Sequence, residues 1–369
     1  MNSILSKKNS EGLRAKAQLL RALTLSLSAF SLATVIVQPG LAEEAKQVTL
    51  VIGQNGQELQ PTWEASGIWK DAPYKIEFAT FPNAVENATA LSAGKVDVSY
   101  FAQFTAIQAQ AAANPDWTKD TVPYKSIVVA ATADPVNHER FVTVASKDSG
   151  ITKLTADAVR GKRWASSPGA TNYLLYLQSL KHLGLTPKDV VPVTLNNEAG
   201  ALALLHGEVD LVSGAIDFYG PAIKNGATVI AKSGDVGPGS PGGLLANSKS
   251  LADPAKDAAI RDLVRRYVEY QDWYNRHPKE AKEALIKVRK LTPENADFIW
   301  SYTRVLPQPI DEARIDEARS IAEVVYGFGA LSKAIDASFA YDNRYGDTIL
   351  DTLKKINFEA NLKDSLATQ

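Results

Sequence analysis

The sequence predicts an α/β fold of two lobes, each a parallel-type sheet flanked by helices, with a ligand cleft between the lobes. Three observations carry this. Buried-strand runs alternate with helical stretches over residues 48–246. The chain repeats its own punctuation at an offset of 113 residues. Its 369 residues, 45% of them apolar, suffice for two hydrophobic cores.

The chain opens on a basic segment. In the first 42 residues Lys7, Lys8, Arg14, Lys16 and Arg21 face a single acid, Glu11. The apolar run Ala22–Val37 follows. Gly40 and Ala42 then occupy the −3 and −1 positions of a cut after Ala42. This is the order of a cleaved secretory signal over 1–42. The run is interrupted by Thr24, Ser26, Ser28, Ser31 and Thr34, and is short for a membrane span of about 20 residues. No paired arginines precede it, so the general export route is expected. The chain has no cysteine. That excludes disulfides, thiol catalysis, thiolate metal sites and a lipid-modified N-terminal cysteine. Without residues 1–42 there remain 35 basic and 40 acidic residues, a net charge of −5. Such a charge recruits neither nucleic acid nor an acidic membrane. The expectation is a periplasmic protein, free of the membrane and monomeric.

The first strand, Val48–Gly53, runs into a polar loop, Gln54–Gln57. At an offset of 113, Arg163–Ser166 runs into Ser167-Pro168-Gly169-Ala170-Thr171, with Gly56 over Gly169. The repeat continues with Asn83, Ala88, Ala90, Leu91, Gly94, Val96 and Asp97 over Asn196, Ala201, Ala203, Leu204, Gly207, Val209 and Asp210. In each copy Asn caps a helix start, because its side-chain oxygen accepts a free backbone N–H. Gly permits a left-handed helix end, and Val-Asp begins the next strand. A strand at Ser126–Thr132 leads through Ala133–Asn137 into Phe141–Ala145, the first crossover between lobes. The Gly- and Pro-rich stretch Gly234–Gly243 is the return crossover, and strand Gly243–Ala246 follows it. Lobe one is therefore expected over 43–137 plus 241–369, and lobe two over 138–240. Helices are expected at Ala255–Asn275, Ile310–Tyr326 and Thr348–Ile356, packed on lobe one.

Ligands in open parallel sheets bind outside the carboxyl ends of the strands. That points to the loops Gln54–Gln57, Pro82–Asn87, Ser167–Tyr173 and Asn196–Glu198. Ser166, Ser167, Gly169, Thr171 and Asn172 make a neutral, donor-rich helix start, suited to an oxyanion and equally to ordinary capping. The four histidines, at 138, 182, 206 and 277, show no metal spacing. There is no phosphate loop and no nucleophile elbow. Glu86 and Glu198 could be imagined as an acid/base pair, but acids are ordinary in a first helical turn. Neither an enzyme nor a cofactor is indicated.

Several blocks in order carry a resemblance. They are Thr49–Gly53, Phe81-Pro82 through Ala90–Asp97, Lys147–Ile151 with Leu154 and Gly161-Lys162, Tyr173–Leu175 through Leu183–Leu185, and Leu204–Asp210. Over roughly 48–278 the chain resembles the ABC-importer solute-binding proteins for aliphatic sulfonates, taurine, nitrate and thiamine pyrimidine precursors. The resemblance implies a two-lobed periplasmic-binding-protein fold of type II, a small-molecule solute, and a permease with its ATPase as partner. It implies ligand contacts at Gln54, Asn55, Ala102, Gln103, Ser167, Gly169, Ala170, Thr171, Asn172 and around Ile216-Asp217. Two family features are changed here. The segment after the second Val-Asp pattern is Ser213–Tyr219 without Trp, and Ala102-Gln103-Phe104-Thr105 replaces a Gly-x-x-Pro.

Phe104 and Asn196 complete the expected ligand set. Asp217 is open between two roles, pairing with a ligand amine and serving as a cap or crossover ion pair. Phe104, Tyr100, Tyr173, Phe218, Tyr219 and Trp63 could wall a ligand, although such rings are more often core. The leading expectation is a receptor for an aliphatic sulfonate or taurine-like anion. The others are a receptor for a nitrogenous or aromatic solute such as a pyrimidine precursor, a ligand sensor on the same fold, and an enzyme.

Overall fold

The computed structural model describes residues 47–56 and 59–367. The expected signal segment and the Gln57 end of the first cleft loop lie outside the described residues. The chain first lays down β1 (Thr49–Asn55), α1 (Gln60–Ser66), β2 (Lys75–Phe81), α2 (Ala84–Ser92), β3 (Val98–Ala102), α3 (Gln103–Ala112) and β4 (Tyr124–Thr132). It then crosses to β5 (Phe141–Ala145), β6 (Arg163–Ser166), α4 (Thr171–His182), β7 (Val191–Thr194), α5 (Asn197–Leu205), β8 (Leu211–Ala215) and β9 (Thr228–Lys232). It returns through β10 (Gly242–Asn247), α6 (Pro254–Arg276), α7 (Pro278–Arg289), α8 (Pro293–Tyr302), β11 (Val305–Gln308), α9 (Glu312–Gly327), α10 (Gly346–Lys355) and α11 (Phe358–Ala367).

Two sheets result, ordered β2-β1-β3-β10-β4-β11 and β7-β6-β8-β5-β9. Each has a parallel core (β2-β1-β3 and β7-β6-β8), flanked by a strand that runs against its neighbours on both sides, and β11 at the edge of the first sheet is antiparallel to β4 as well. The flanking strand is β10 in the first sheet and β5 in the second, and each follows a crossover. The sheets are thus mixed, with a parallel half.

The internal repeat has a hydrogen-bonding reason. The carboxylate of Asp97 accepts the N–H of Val51 at 2.9 Å, and that of Asp210 accepts the N–H of Arg163 at 2.8 Å. In return the N–H of Asp97 donates to the Val51 carbonyl at 2.8 Å, and that of Asp210 to the Arg163 carbonyl at 3.0 Å. Each Asp therefore satisfies a backbone donor where the middle strand begins, a position the parallel ladder leaves open. A cation backs each one: Lys256 on Asp97 at 2.6 Å, and the Arg163 guanidinium on Asp210 at 3.0 Å. Asn83 and Asn196 cap α2 and α5 through the N–H of Glu86 at 3.0 Å and of Ala199 at 2.8 Å. Gly94 and Gly207 both hold φ of +69°, the left-handed ends that the pattern called for. The first strands do not share the offset of 113. Val51 and Arg163 are 112 apart, so the second copy carries one extra residue before its helix.

Leu50, Ile52, Val98 and Leu244 pack under α6, α10 and α11 through Leu263, Tyr267, Ile349 and Phe358. The C-terminal helices do not all stay on the first sheet, as the sequence had suggested. In α9, Ala318, Ile321, Ala322 and Val325 join one core with Phe104 and Ile107 of α3 and Leu174, Leu177 and Leu180 of α4. In α8, Phe298 and Tyr302 pack on the second sheet's cluster around Val142, Ile216 and Tyr219. An amphipathic pattern tells which face of a helix is buried, not which sheet buries it.

Two predictions follow from this packing. Ile321→Ala removes a buried side chain from the shared core and should cost about 2–5 kcal/mol in a urea melt. The Arg163 guanidinium holds the Asp210 carboxyl below its ordinary range, so its contribution is present at neutral pH and lost as pH falls through the folded value. Asp210→Asn should therefore show a smaller loss of melting temperature on acidification than the unaltered chain.

Candidate ligand-binding site

The carboxyl ends of β1, β2, β3 and β4 share one edge of the first sheet, where β10 and β11 begin. In the second sheet the ends of β6, β7, β8 and β9 share an edge with the start of β5. The crossovers run from the end of β4 to the start of β5, and from the end of β9 to the start of β10. Both join carboxyl edge to carboxyl edge.

Many of the sequence-derived positions at these edges perform structural tasks. Gln54 is fully buried. Its Oε1 accepts the N–H groups of Leu59 at 3.0 Å and Gln60 at 3.1 Å, and so caps α1. Asn55 accepts from the Asn87 amide at 3.2 Å. Ala102 ends β3. The backbone N–H of Gln103 bonds Pro241 on the return crossover at 3.2 Å, and its side-chain oxygen accepts from Tyr341 at 3.1 Å. Phe104 is a core ring, and its N–H donates to Ser240 at 2.8 Å. Asn196 is the α5 cap described above. Asp217 is 1% exposed at its side chain and takes the Arg140 Nε and Nη2 at 3.1 and 3.3 Å. Of the two roles open to it, the structure displays the crossover ion pair.

Ser167, Gly169, Ala170, Thr171 and Asn172 form the turn into α4. Gly169 needs its glycine because φ is +91°, and the position of its absent Cβ lies in ordinary contact range, 3.6 Å, of the Val85 side chain on α2. The turn thus meets the first sheet's helices across the gap. Thr171 and Asn172 are buried, and the Asn172 side chain accepts the N–H of Tyr173 at 3.1 Å.

A cavity of about 290 Å³ lies at the same edges on the crossover side. None of the twelve positions lines it. Its walls come from Tyr100 of β3, the end of β4, both crossovers and helices α6–α9. Four arginines (Arg140, Arg289, Arg304, Arg314) and two glutamates (Glu139, Glu317) line it. Arg140 is held by Asp217, and Arg314 donates to Glu317 at 2.7 Å. The Arg304 guanidinium lies 4.8 Å over the Trp300 ring. Arg289 makes no ion pair among the described residues. At the cavity wall the buried Tyr274 hydroxyl bonds Thr303 at 2.8 Å. Burial pushes it up to about 12, and the Thr303 hydrogen bond and the charges of Arg140, Arg289 and Arg304 pull it back. Glu139 accepts the N–H of Phe141 at 3.1 Å, and burial pushes its carboxyl above the usual range. Rings of Tyr100, Phe141, Tyr270 and Tyr302 complete the walls. Sequence reading had noted Tyr100 alone among these. The arginines sit in ordinary amphipathic or loop contexts, and only the long-range fold collects them. Among the described residues no cluster of His, Asp or Glu could hold a metal, and no helix is long and apolar enough to cross a membrane.

Residues 68–276 match the family described as ABC transporter, phosphonate, periplasmic substrate-binding protein. The chain belongs to this family. Membership implies a small-molecule ligand and a membrane permease with its ATPase as partner. No curated relative matches the sequence. Among solved structures, this substrate-binding protein is similar to the periplasmic aliphatic sulphonate binding protein SsuA from Escherichia coli. The TM-score is 0.69 at 18% identity, covering 80% of this chain and 92% of that one. It is similar also to the alkanesulfonate-binding protein SsuA from Xanthomonas axonopodis pv. citri bound to MOPS, at TM-score 0.68 and 19% identity, covering 81% and 99%. The desulfurization enzyme DSZB shares the fold too, at TM-score 0.58 and 13% identity, covering 84% and 100%. At these identities the likeness speaks for the two-lobed fold alone.

The ion pair at the crossover is open to test in this substrate-binding protein. Asp217→Ala leaves Arg140 without its buried partner and should cost about 2–4 kcal/mol of stability, read by denaturant melting. Loss of under 0.5 kcal/mol, roughly the effect of an ordinary surface change, would show the pair to be dispensable.

Proposed function

We propose that the chain is an exported receptor that captures a small organic oxyanion between its lobes and delivers it to an ABC importer. An aliphatic sulfonate or taurine-like compound is the solute class proposed. The observation that carries this is that four arginines line one cavity, and that among the described residues Arg289 makes no ion pair. Guanidinium donors suit sulfonate and phosphonate oxygens because charge-assisted bonds in fork geometry are strong and directional. The cavity volume falls at the small end of the roughly 300–1,000 Å³ of ligand pockets, which favours a compact solute.

The pyrimidine reading rested on a cleft-facing Asp217, and that carboxylate is buried against Arg140. Binding without turnover is the proposed mode, although DSZB runs chemistry on the same fold. Glu86, one half of the imagined acid/base pair, is bonded at 3.0 Å by the side chain of its own cap, Asn83. In this reading residues 1–42 are a cleaved signal, and the monomeric mature chain works in the periplasm. Lobes 43–137 plus 241–369 and 138–240 pivot at the crossovers, and the solute shifts the population toward the closed form. The turn 167–172 then closes the mouth against α2 and α3.

The test is thermal unfolding of residues 43–369 against sulfonates, taurine, phosphonates, nitrate, bicarbonate and pyrimidines. A native-state binder raises the melting temperature by mass action. A shift is expected with an organic oxyanion. Arg289→Ala should weaken that binding about tenfold or more, the loss of one charge-assisted contact, and leave the ligand-free melting temperature nearly unchanged. A shift with a pyrimidine alone would replace this reading.

A further inference from the structure

Resting on the lobe movement proposed above, we infer that α8 is a latch. Its Phe298 and Tyr302 face grips the second lobe and lets go when the lobes part, while the core shared by α3, α4 and α9 stays shut. Among the described residues two apolar clusters carry side chains of both lobes. One is the α3–α4–α9 core, and the other joins α8 to the second sheet. α8 is rooted in the first lobe. Its Trp300 is buried in the first sheet's core and donates its Nε1–H to the Tyr274 carbonyl on α6 at 3.0 Å. Asp297 pairs with Lys282 of α7. Other contacts of α8 reach across. The place a Cβ would take on Gly220, which begins the short helix Gly220–Lys224, lies 3.6 Å from the Phe298 ring. The Phe298 and Tyr302 rings stand 4.9 Å apart, and Tyr302 meets His138 of the second lobe edge-on at 5.3 Å. Glu294 pairs with Lys224 of that short helix.

The two contacts differ in strength. In the α3–α4–α9 core Phe104, Leu174, Leu177, Ile321 and Val325 are each 1% exposed or less. At the α8 contact Phe298 and Tyr302 are only half-buried, and the Lys224–Glu294 pair is exposed. The cost of parting a contact grows with the apolar area uncovered, and an exposed ion pair adds little. The α8 contact therefore yields first. Its place gives the release a consequence. Ile299, Tyr302 and Thr303, at the end of α8, line the same cavity as Glu139 and Arg140 of the second lobe. Drawing α8 off the second lobe separates these walls and opens the cavity.

The experiment is a spin-label distance measurement on residues 43–369 without solute. The chain has no cysteine, so each introduced pair is labelled alone. Asn225→Cys with Asn295→Cys, at exposed positions beside Lys224 and Glu294, reports the latch. Ala112→Cys with Lys181→Cys, exposed near the ends of α3 and α4, reports the shared core. Phe298→Ala is expected to raise the ratio of long to short latch distances tenfold or more and to leave the core pair unchanged. Lys224→Glu sets like charges face to face at the surface and should raise that ratio about two- to fivefold. Adding Glu294→Lys should restore it. The charge swap lies on exposed side chains, so it decides the matter even where Phe298→Ala fails to fold. Lengthening at the core pair in place of the latch pair overturns the latch and leaves lobe movement standing. Fixed distances at both pairs in every variant overturn the latch and the lobe movement together, while solute binding is read separately from the melting temperature.

Discussion

Both links between the sheets leave a carboxyl edge and enter a carboxyl edge, and the rest of the arrangement follows from this constraint. Parallel strands deliver every connecting helix start to one edge. The crossovers then bring the two such edges together at β4–β5 and β9–β10. The strand after each crossover runs antiparallel to its new neighbours, which makes both sheets mixed, and β11 adds a further antiparallel pair to the first. Whatever enters between the lobes meets loop ends, helix starts and crossover backbone together. The polar and charged side chains collected there come from segments far apart in the chain, Tyr100, Arg140, Ser240 and Arg289 among them.

At such an edge backbone groups compete with any ligand for side-chain partners. Gln54, Asn55, Asn83 and Asn196 lie where sequence reasoning places ligand contacts, yet each is engaged with a neighbouring backbone or side chain. Helix starts carry unsatisfied N–H groups that need an acceptor before any solute arrives. The cavity walls are different in kind. They are built from side chains of helices and crossovers, and four arginines and two glutamates line the space.

The features that were legible in the sequence are those that solve a local problem. Asn caps, left-handed Gly ends and the Asp after each helix satisfy hydrogen bonds within a few residues or within one repeat, so they recur as a readable pattern. Strands Phe141–Ala145 and Arg163–Ser166 begin and end where the sequence puts them. The family was legible as well, through the order of these blocks. The bridging position of α9 was not, because an apolar stripe does not name its partner. Nor was the cavity, whose arginines look like ordinary surface charges until distant segments meet. Asp217 was singled out as a charge of consequence, and its partner Arg140, far earlier in the chain, was not foreseeable from spacing.

Helix α9 has a mechanical consequence. Its apolar residues sit in one core with α3, which follows the first sheet's third strand, and α4, which follows the second sheet's first. Any motion that drew α3 away from α4 would expose that core to water, at about 25 cal/mol for each Å² uncovered. The lobe movement proposed above would therefore have to turn about this seam with the seam still shut. The two halves are joined less like jaws on a free string than like covers bound along a spine, and α9 is stitched into the binding.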